Sequence, residues 1–525
     1  MKKLQRLIVK VKSRYLLIND GLSINIKDCI REDNPLKNLY FIPAMPDSFI
    51  RNNNKNNKVN TRSLVGIYYA CIKKEMNEEQ LNATINALSM LPYFDYIQKI
   101  PETSPLPPAV SINNTFCDSP NFTHYQDYKY GNRGHYYGID MMYAWSLGIA
   151  GQGVRIAVID WGFNFNHIDL KSARFVELIP LSKHEFDYHG TNVVGVLYAK
   201  NNESGITGMV YDADVVYGVT EFTEGYSTRP TNIAIGLEQL RAGDVFLFEM
   251  QEYYGEPADY NKAIWDMIKA ATDAGIIVVA TAGNGNWDLD SEQFAEYRSW
   301  GDNGVIMVGA GTKIGRNKCS FSNYGTRVHV QGWGDWTVVT TGIGDLYDGV
   351  PAGDNDYTHT FAGTSSAGAI VTSAVVAIQS WYKRATNHVL YPLEMRNLLI
   401  ETGLAQGNEV RGHIGALPNI RNAIEKLKRV IIYFDIKNDE DIYANDIKGY
   451  LQEHEVVIIN LSDSEWSESI FIPTASLLNK TKRIYINNNS QYTSEVYLNF
   501  SDNPRFLKKN ESILLVSDGQ EWRNR

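Results

Sequence analysis

The sequence predicts an α/β fold: a parallel sheet flanked by helices, with a small α+β domain before it and a mostly β domain after it. Three observations lead there. Between residues 113 and 428, near-continuous apolar runs of strand length alternate with helical patterns, as strands buried on both faces of a parallel sheet do. Residues 1–112 read as strands around one helix. Over residues 429–525 the helical periodicity fades, and apolar runs are separated by polar turns.

In the first domain, MKKLQRLIVKVKSRYLLIN is basic, and Lys10, Lys12 and Arg14 interrupt its apolar stretch. No small-residue cleavage site follows, so it reads as a strand rather than a signal peptide. VGIYYACIKK is a second strand. Asn77 then opens a helix with Gln80 three residues on, a capping box, and Leu81, Ile85 and Leu88 mark one face. YFDYIQKI is the next strand. RNNNKNNKVN is a polar loop, and the Pro-rich SPLPPAV closes the domain as a linker.

In the central domain the buried-strand candidates are VRIAVID, DADVVYGVT, DVFLFEMQ, GIIVVATAGN and GVIMVGAG. Ligands of such sheets bind beyond the carboxyl ends of the strands. Asp160 ends the first of these runs and Asn284 the fourth. In the last domain RVIIYFDI, EVVIINLS, KRIYINN, EVYLNFS and SILLVSDG read as strands.

Composition narrows the function. A chain of 525 residues suggests two to four domains at roughly 100–200 residues each. A net charge of −10 argues against nucleic acid as the main partner, because phosphate binding needs clustered Lys and Arg. No run reaches the ~18 apolar residues of a membrane span. The expected location is the cytoplasm, or outside the cell by a route without a standard signal. Cys29, Cys71, Cys117 and Cys319 lack metal-like spacing and read as small buried hydrophobes.

Three Gly-marked segments carry chemistry: AVIDWG with Asp160, DYHGTNVVG with His189, and FAGTSSAGA with Ser365. A carboxylate at a strand end can accept a hydrogen bond from a histidine Nδ1–H, fix its tautomer and stabilise its protonated form. A serine in the first turn of a buried helix has a backbone N–H free to meet a developing oxyanion. A side-chain amide such as Asn284, in ATAGNGN, can supply a second donor. Read singly, Asp160 also fits an Asx turn, His189 a packed histidine, Ser365 a helix N-cap and Asn284 a Gly-Asn-Gly turn. Ser366 offers an adjacent hydroxyl.

Taken together and in this order, the segments resemble the subtilases, the subtilisin-like serine peptidases, in which Asp precedes His and His precedes Ser. AVIDWGFNFNHIDL, HGTNVVGVLYA with GITGMVYDADVVYGV, ATAGN, VIMVGAG with SFSNYG, and FAGTSSAGA each resemble a family segment. The resemblance implies that Asp160 orients His189, His189 is general base and then acid, and Ser365 attacks. Asn284 and the Ser365 N–H would form the oxyanion hole. It implies a specificity pocket lined by Glu249, Met250 and Gln251 on one side and Ala280, Thr281 and Ala282 on the other. A carboxylate at Glu249 would favour basic substrate residues if it faced the pocket, and would have no such effect if it pointed away or paired locally.

Three departures accompany the resemblance. Trp161 replaces a small hydroxyl residue, Asn192 stands where a second His is common, and Ala369 replaces the usual Pro of the Ser segment. The chemistry needs no cofactor or metal, and no acidic loop has calcium-ligand spacing. Residues 1–112 resemble a subtilase prodomain, which would make the domain an intramolecular inhibitor of a protease acting on proteins or peptides. The C-terminal domain weakly resembles small β domains at the ends of phage-tail-like and surface proteins. A catalytically silent protein acting in binding or assembly is the alternative expectation.

Overall fold

The computed structural model describes residues 6–13, 39–46, 48–51, 59–72, 76–100, 115–116, 120–180, 186–223, 226–351, 353–408, 412–498, 501 and 503–524. The Pro-rich linker, most of the Asn-rich loop, Cys29 and Cys117 lie outside them. The chain forms two compact units, Met1–Trp381 with Val389–Ile420, and Tyr382–His388 with Arg421–Arg525.

In the first unit, strands β1 (Arg6–Val11), β2 (Leu39–Pro43), β3 (Ile67–Ile72) and β4 (Phe94–Lys99) form an antiparallel sheet in the order β2-β3-β1-β4. Helix α1 (Glu78–Ser89) starts in a capping box: Asn77 Oδ1 accepts from the Gln80 N–H at 2.8 Å, and Gln80 Oε1 accepts from the Asn77 N–H at 3.1 Å. Its buried residues are Leu81 and Leu88.

The main sheet is parallel throughout. Its strands are β5 (Arg155–Asp160), β6 (Phe175–Glu177), β7 (Val215–Thr220), β8 (Val245–Phe248), β9 (Ile277–Thr281), β10 (Ile306–Gly311) and β11 (Val330–Trp333), in the order β11-β10-β9-β8-β5-β7-β6. Helices α2 (Asp187–Tyr198), α3 (Arg229–Glu238) and α4 (Lys262–Asp273) belong to the crossovers. A hairpin-like pair, β12 (Val338–Thr341) with β13 (Tyr357–Phe361), leads into the long helix α5 (Gly363–Thr386).

The antiparallel N-terminal sheet shares a hydrophobic core with α3 and α4: Ile8, Tyr69 and Cys71 pack in the same cluster as Ile233, Leu237, Ile264 and Ile268. Polar contacts pin the two together. Tyr69 Oη lies 3.0 Å from Thr231 Oγ1, Tyr96 Oη donates to Asp266 at 3.2 Å, and the Lys262 N–H donates to Gln98 Oε1 at 2.7 Å. Cys71 and Cys319 are buried and form no disulfide among the described residues.

In the second unit, strands β14 (Ile431–Tyr433), β15 (Val456–Leu461), β16 (Arg483–Asn488), β17 (Glu511–Ser517) and β18 (Trp522–Asn524) make a mixed sheet in that order. A second, three-stranded sheet accompanies it, and so does a helix over Ala444–Glu453 that buries Ile447 and Leu451. No helix among the described residues is long and apolar enough to cross a membrane.

Candidate active site

The carboxyl edge of β9-β8-β5 gathers the chemistry-bearing residues. Asp160 is the last residue of β5 and is fully buried. Its Oδ1 accepts from the Trp161 backbone N–H at 2.6 Å, so the indole that replaces a small hydroxyl residue leaves a backbone donor in place. The Trp161 ring itself packs against Phe186 and Phe222.

His189 lies in the first turn of α2. Its Nδ1 sits 2.8 Å from Asp160 Oδ1 and 2.9 Å from Oδ2. The approach depends on Gly190, where a Cβ would fall 2.1 Å from the Gly162 carbonyl oxygen. From the other side β12 holds the helix: Thr340 Oγ1 donates to the Asn192 carbonyl and Thr341 Oγ1 to that of Thr191, both at 2.7 Å. Asn192 is buried in this contact. Burial opposes the His189 imidazolium, but the charge of Asp160, its hydrogen bond and the charge of Glu221 outweigh that, so the imidazole is raised above 6.5. Burial lifts the Asp160 carboxyl above its ordinary value, against the pull of His189 and the Trp161 N–H.

Ser365 is the third residue of α5 and is partly exposed, whereas Ser366 is fully buried and donates to the Trp333 carbonyl at 2.8 Å. Of the two hydroxyls, that of Ser366 is therefore committed to the backbone. Phe361, four residues before Ser365, sets its ring across that of His189 at 5.8 Å. Ala369, where a Pro is usual, sits inside an uninterrupted helix and accepts from Ser373.

Asn284 follows β9 by three residues. Its Oδ1 accepts from the Thr364 N–H at 2.9 Å, which fixes the amide so that Nδ2 faces the other way. The Ser365 N–H, in the first turn of α5, belongs to the amides that a helix leaves without an internal partner. The Asn284 amide thus lies against the start of α5, while His189 is paired with Asp160 and packed by Phe361; these are groups of the kind that activate a serine and stabilise an oxyanion.

The strand end after β8 carries a buried carboxyl. Glu249 is 2% exposed, and its Oε1 lies 2.6 Å from where a Cβ on Gly368 would be. Among the described residues neither carboxyl oxygen makes a well-formed hydrogen bond. Burial and the charge of Asp160 push this carboxyl well above 4.5, with the Ser365 hydroxyl pulling the other way. Met250 is buried; its carbonyl accepts from Thr281 Oγ1 at 2.8 Å. Ala280, Thr281 and Ala282 are buried as well. Gln251 is partly exposed and bonds to Asn284.

Sequence reading missed a buried ion cluster below this edge. The guanidinium of Arg229 donates to Glu221 Oε2 at 2.7 Å, to Glu252 Oε1 at 2.9 Å and to the Gln251 carbonyl at 2.8 Å. Burial, the dominant influence, raises Glu221 to about 7 despite Arg229. Its signals in sequence, an acid directly after a buried run and an Arg at a helix start, are too common to single out.

Residues 151–416 match the subtilase family, and the chain belongs to it. The chain is 29% identical over 253 residues to the thermostable alkaline protease of Halalkalibacterium halodurans, covering 48% of this chain and 63% of that one. It is 30% identical over 270 residues to alkaline elastase YaB of a Bacillus species, covering 50% and 63%. It is 28% identical over 309 residues to the intracellular serine protease of Paenibacillus polymyxa, covering 56% and 87%. The first two matches thus span less than two thirds of those relatives.

Proposed function

We propose that the chain is a serine endopeptidase that cleaves peptide bonds of protein or peptide substrates through an acyl-enzyme on Ser365. His189 takes the Ser365 proton as the hydroxyl attacks the scissile carbonyl, then gives it to the leaving amine. In the second half it activates water in the same way. Asp160 holds His189 in the Nδ1–H tautomer and offsets the imidazolium charge. Asn284 Nδ2–H and the Ser365 N–H receive the oxyanion. The Asp160–His189 contact at 2.8 Å, on the sheet edge that also carries Asn284 and faces the start of α5, is the observation that carries this reading. The proteases among its relatives support it.

Residues 1–112 serve in this reading as a prodomain-like inhibitor, supported by the core that their sheet shares with α3 and α4. The test is labelling of the full chain with a small fluorophosphonate, since Ser365 is partly exposed. Wild type should label and cleave a peptide substrate, and Ser365→Ala should do neither. A folded wild-type chain that stays unlabelled after its N-terminal region has been cut away, as well as before, overturns the reading. Mass spectrometry before and after incubation shows whether the N-terminal region is cut away.

A further inference from the structure

Gln251 is bonded to the residue whose amide the reaction would use. Its Oε1 accepts from two donors of one residue, the Asn284 backbone N–H at 2.9 Å and Asn284 Nδ2–H at 3.1 Å. Neither amide can be turned around. The backbone donor fixes the oxygen end of Gln251, and the Thr364 N–H on Asn284 Oδ1 fixes the nitrogen end of Asn284. A carbonyl oxygen therefore already holds one of the two N–H bonds of the Asn284 side-chain amide, the group that would receive the oxyanion.

The backbone beneath it is held. Arg229 binds the Gln251 carbonyl and the neighbouring Glu252 carboxylate. The Glu252 N–H donates to the Glu256 carbonyl, and the Gly255 N–H to that of Glu252, closing a tight turn. That turn is braced by the Gly285 N–H on the Gly255 carbonyl. Only the Gln251 side chain, partly exposed at the surface, is left to move.

Resting on the acyl-transfer reading above, we propose that Gln251 is an internal competitor at the oxyanion hole: its carboxamide holds the Asn284 side-chain amide and must give way before that amide can settle on a substrate carbonyl. Binding and opening are then coupled. A substrate that anchors elsewhere on the cleft can displace the side chain, and a short ester or amide displaces it poorly. Gln251 gates the donors and takes no part in bond making.

The experiment compares the full-length wild type, Gln251→Ala and the near-isosteric Gln251→Glu. Two readouts are used, fluorophosphonate labelling rate and kcat/KM on a short peptide anilide. Removing the competitor exchanges two hydrogen bonds for bonds to water, so Gln251→Ala should gain roughly tenfold in both. Gln251→Glu keeps the shape but accepts more strongly and repels the oxyanion, so it should lose at least as much. A merely structural side chain would lose activity in both variants. Equal or lower rates in Gln251→Ala, with wild type active, overturn the gate alone. Absence of labelling in all three folded chains, after as well as before the N-terminal region is cut away, overturns the acyl-transfer reading on which the gate rests.

Discussion

Glu249→Gln isolates the energetic cost of burying a carboxyl against a nucleophile. The side chain is 2% exposed, and burial together with Asp160 pushes its carboxyl well above 4.5. In the unfolded chain the group ionises near its ordinary value, so above that pH the unfolded state has released a proton that the folded state keeps. Stability then falls as pH rises, by about 1.4 kcal/mol per pH unit, until pH reaches the raised value. Gln has the same shape and does not titrate. The stability advantage of Glu249→Gln should therefore be small at pH 4, about 1 kcal/mol or less. It should widen by about 1.4 kcal/mol for each pH unit inside that window and then level off. The level-off point reads the folded value directly. Both chains should carry Ser365→Ala to prevent self-cleavage; this also removes the hydroxyl that favours the charged form, so the window can only lengthen. Urea unfolding followed by tryptophan fluorescence from pH 4 to 9 gives the difference at each pH, and titrations common to both chains cancel. A constant difference across that range, or one that grows toward acid pH, would show an ionised and well-solvated Glu249 and refute the reasoning.

Other perturbations probe the surrounding contacts. Asp160→Asn should lower kcat by a factor on the order of 10⁴, because the amide stabilises the wrong His189 tautomer. The same change should move the acid limb of kcat/KM down, since wild-type His189 must lose its proton above 6.5 and Asp160 is what raises it. Gly368→Ala should cost about 1–3 kcal/mol, because the new methyl meets Glu249 at 2.6 Å and Thr281 Cγ2 at 3.3 Å. In a Glu249→Ser background the same change should turn neutral or stabilising by up to about 1 kcal/mol, the helix preference for Ala over Gly; additive effects in a double-mutant cycle would refute the contact. Arg229→Leu should destabilise by about 3–5 kcal/mol in urea unfolding, because it leaves two buried carboxylates without their cation, and Glu221→Gln added to it should recover part of the loss.

The sequence made the strands of the main sheet legible where burial on both faces leaves an apolar run. Strands β5, β7, β8, β9 and β10 fall inside the runs read from the sequence. Two edge strands escaped. Phe175–Glu177 has three residues, and Val330–Trp333 is interrupted by Gln331 and Gly332, so neither carries a period. The Ala444–Glu453 helix was hidden for a related reason, since Ile447 and Leu451 alone make its buried face. Sheet order was out of reach altogether. Crossovers place β8 between β5 and β9, and no local pattern encodes that neighbourhood.

That order is also why the candidate site was only half legible. Asp160, His189, Asn284 and Ser365 announce themselves by lying at strand or helix ends next to Gly. What Gln251 and Glu249 do depends on residues 33 and 116–119 positions away, brought together when β8 and β9 pair and α5 packs over their ends. Each side chain at this edge depends on its own support. Glu249 needs the space that Gly368 leaves, and Gln251 needs the turn that Arg229 and Glu252 hold. Because the raised Glu249 carboxyl lies beside the Ser365 hydroxyl, Glu249→Ser should flatten the alkaline side of the pH profile of kcat/KM on a short peptide anilide; an unchanged profile would show that ionisation at 249 does not reach the nucleophile.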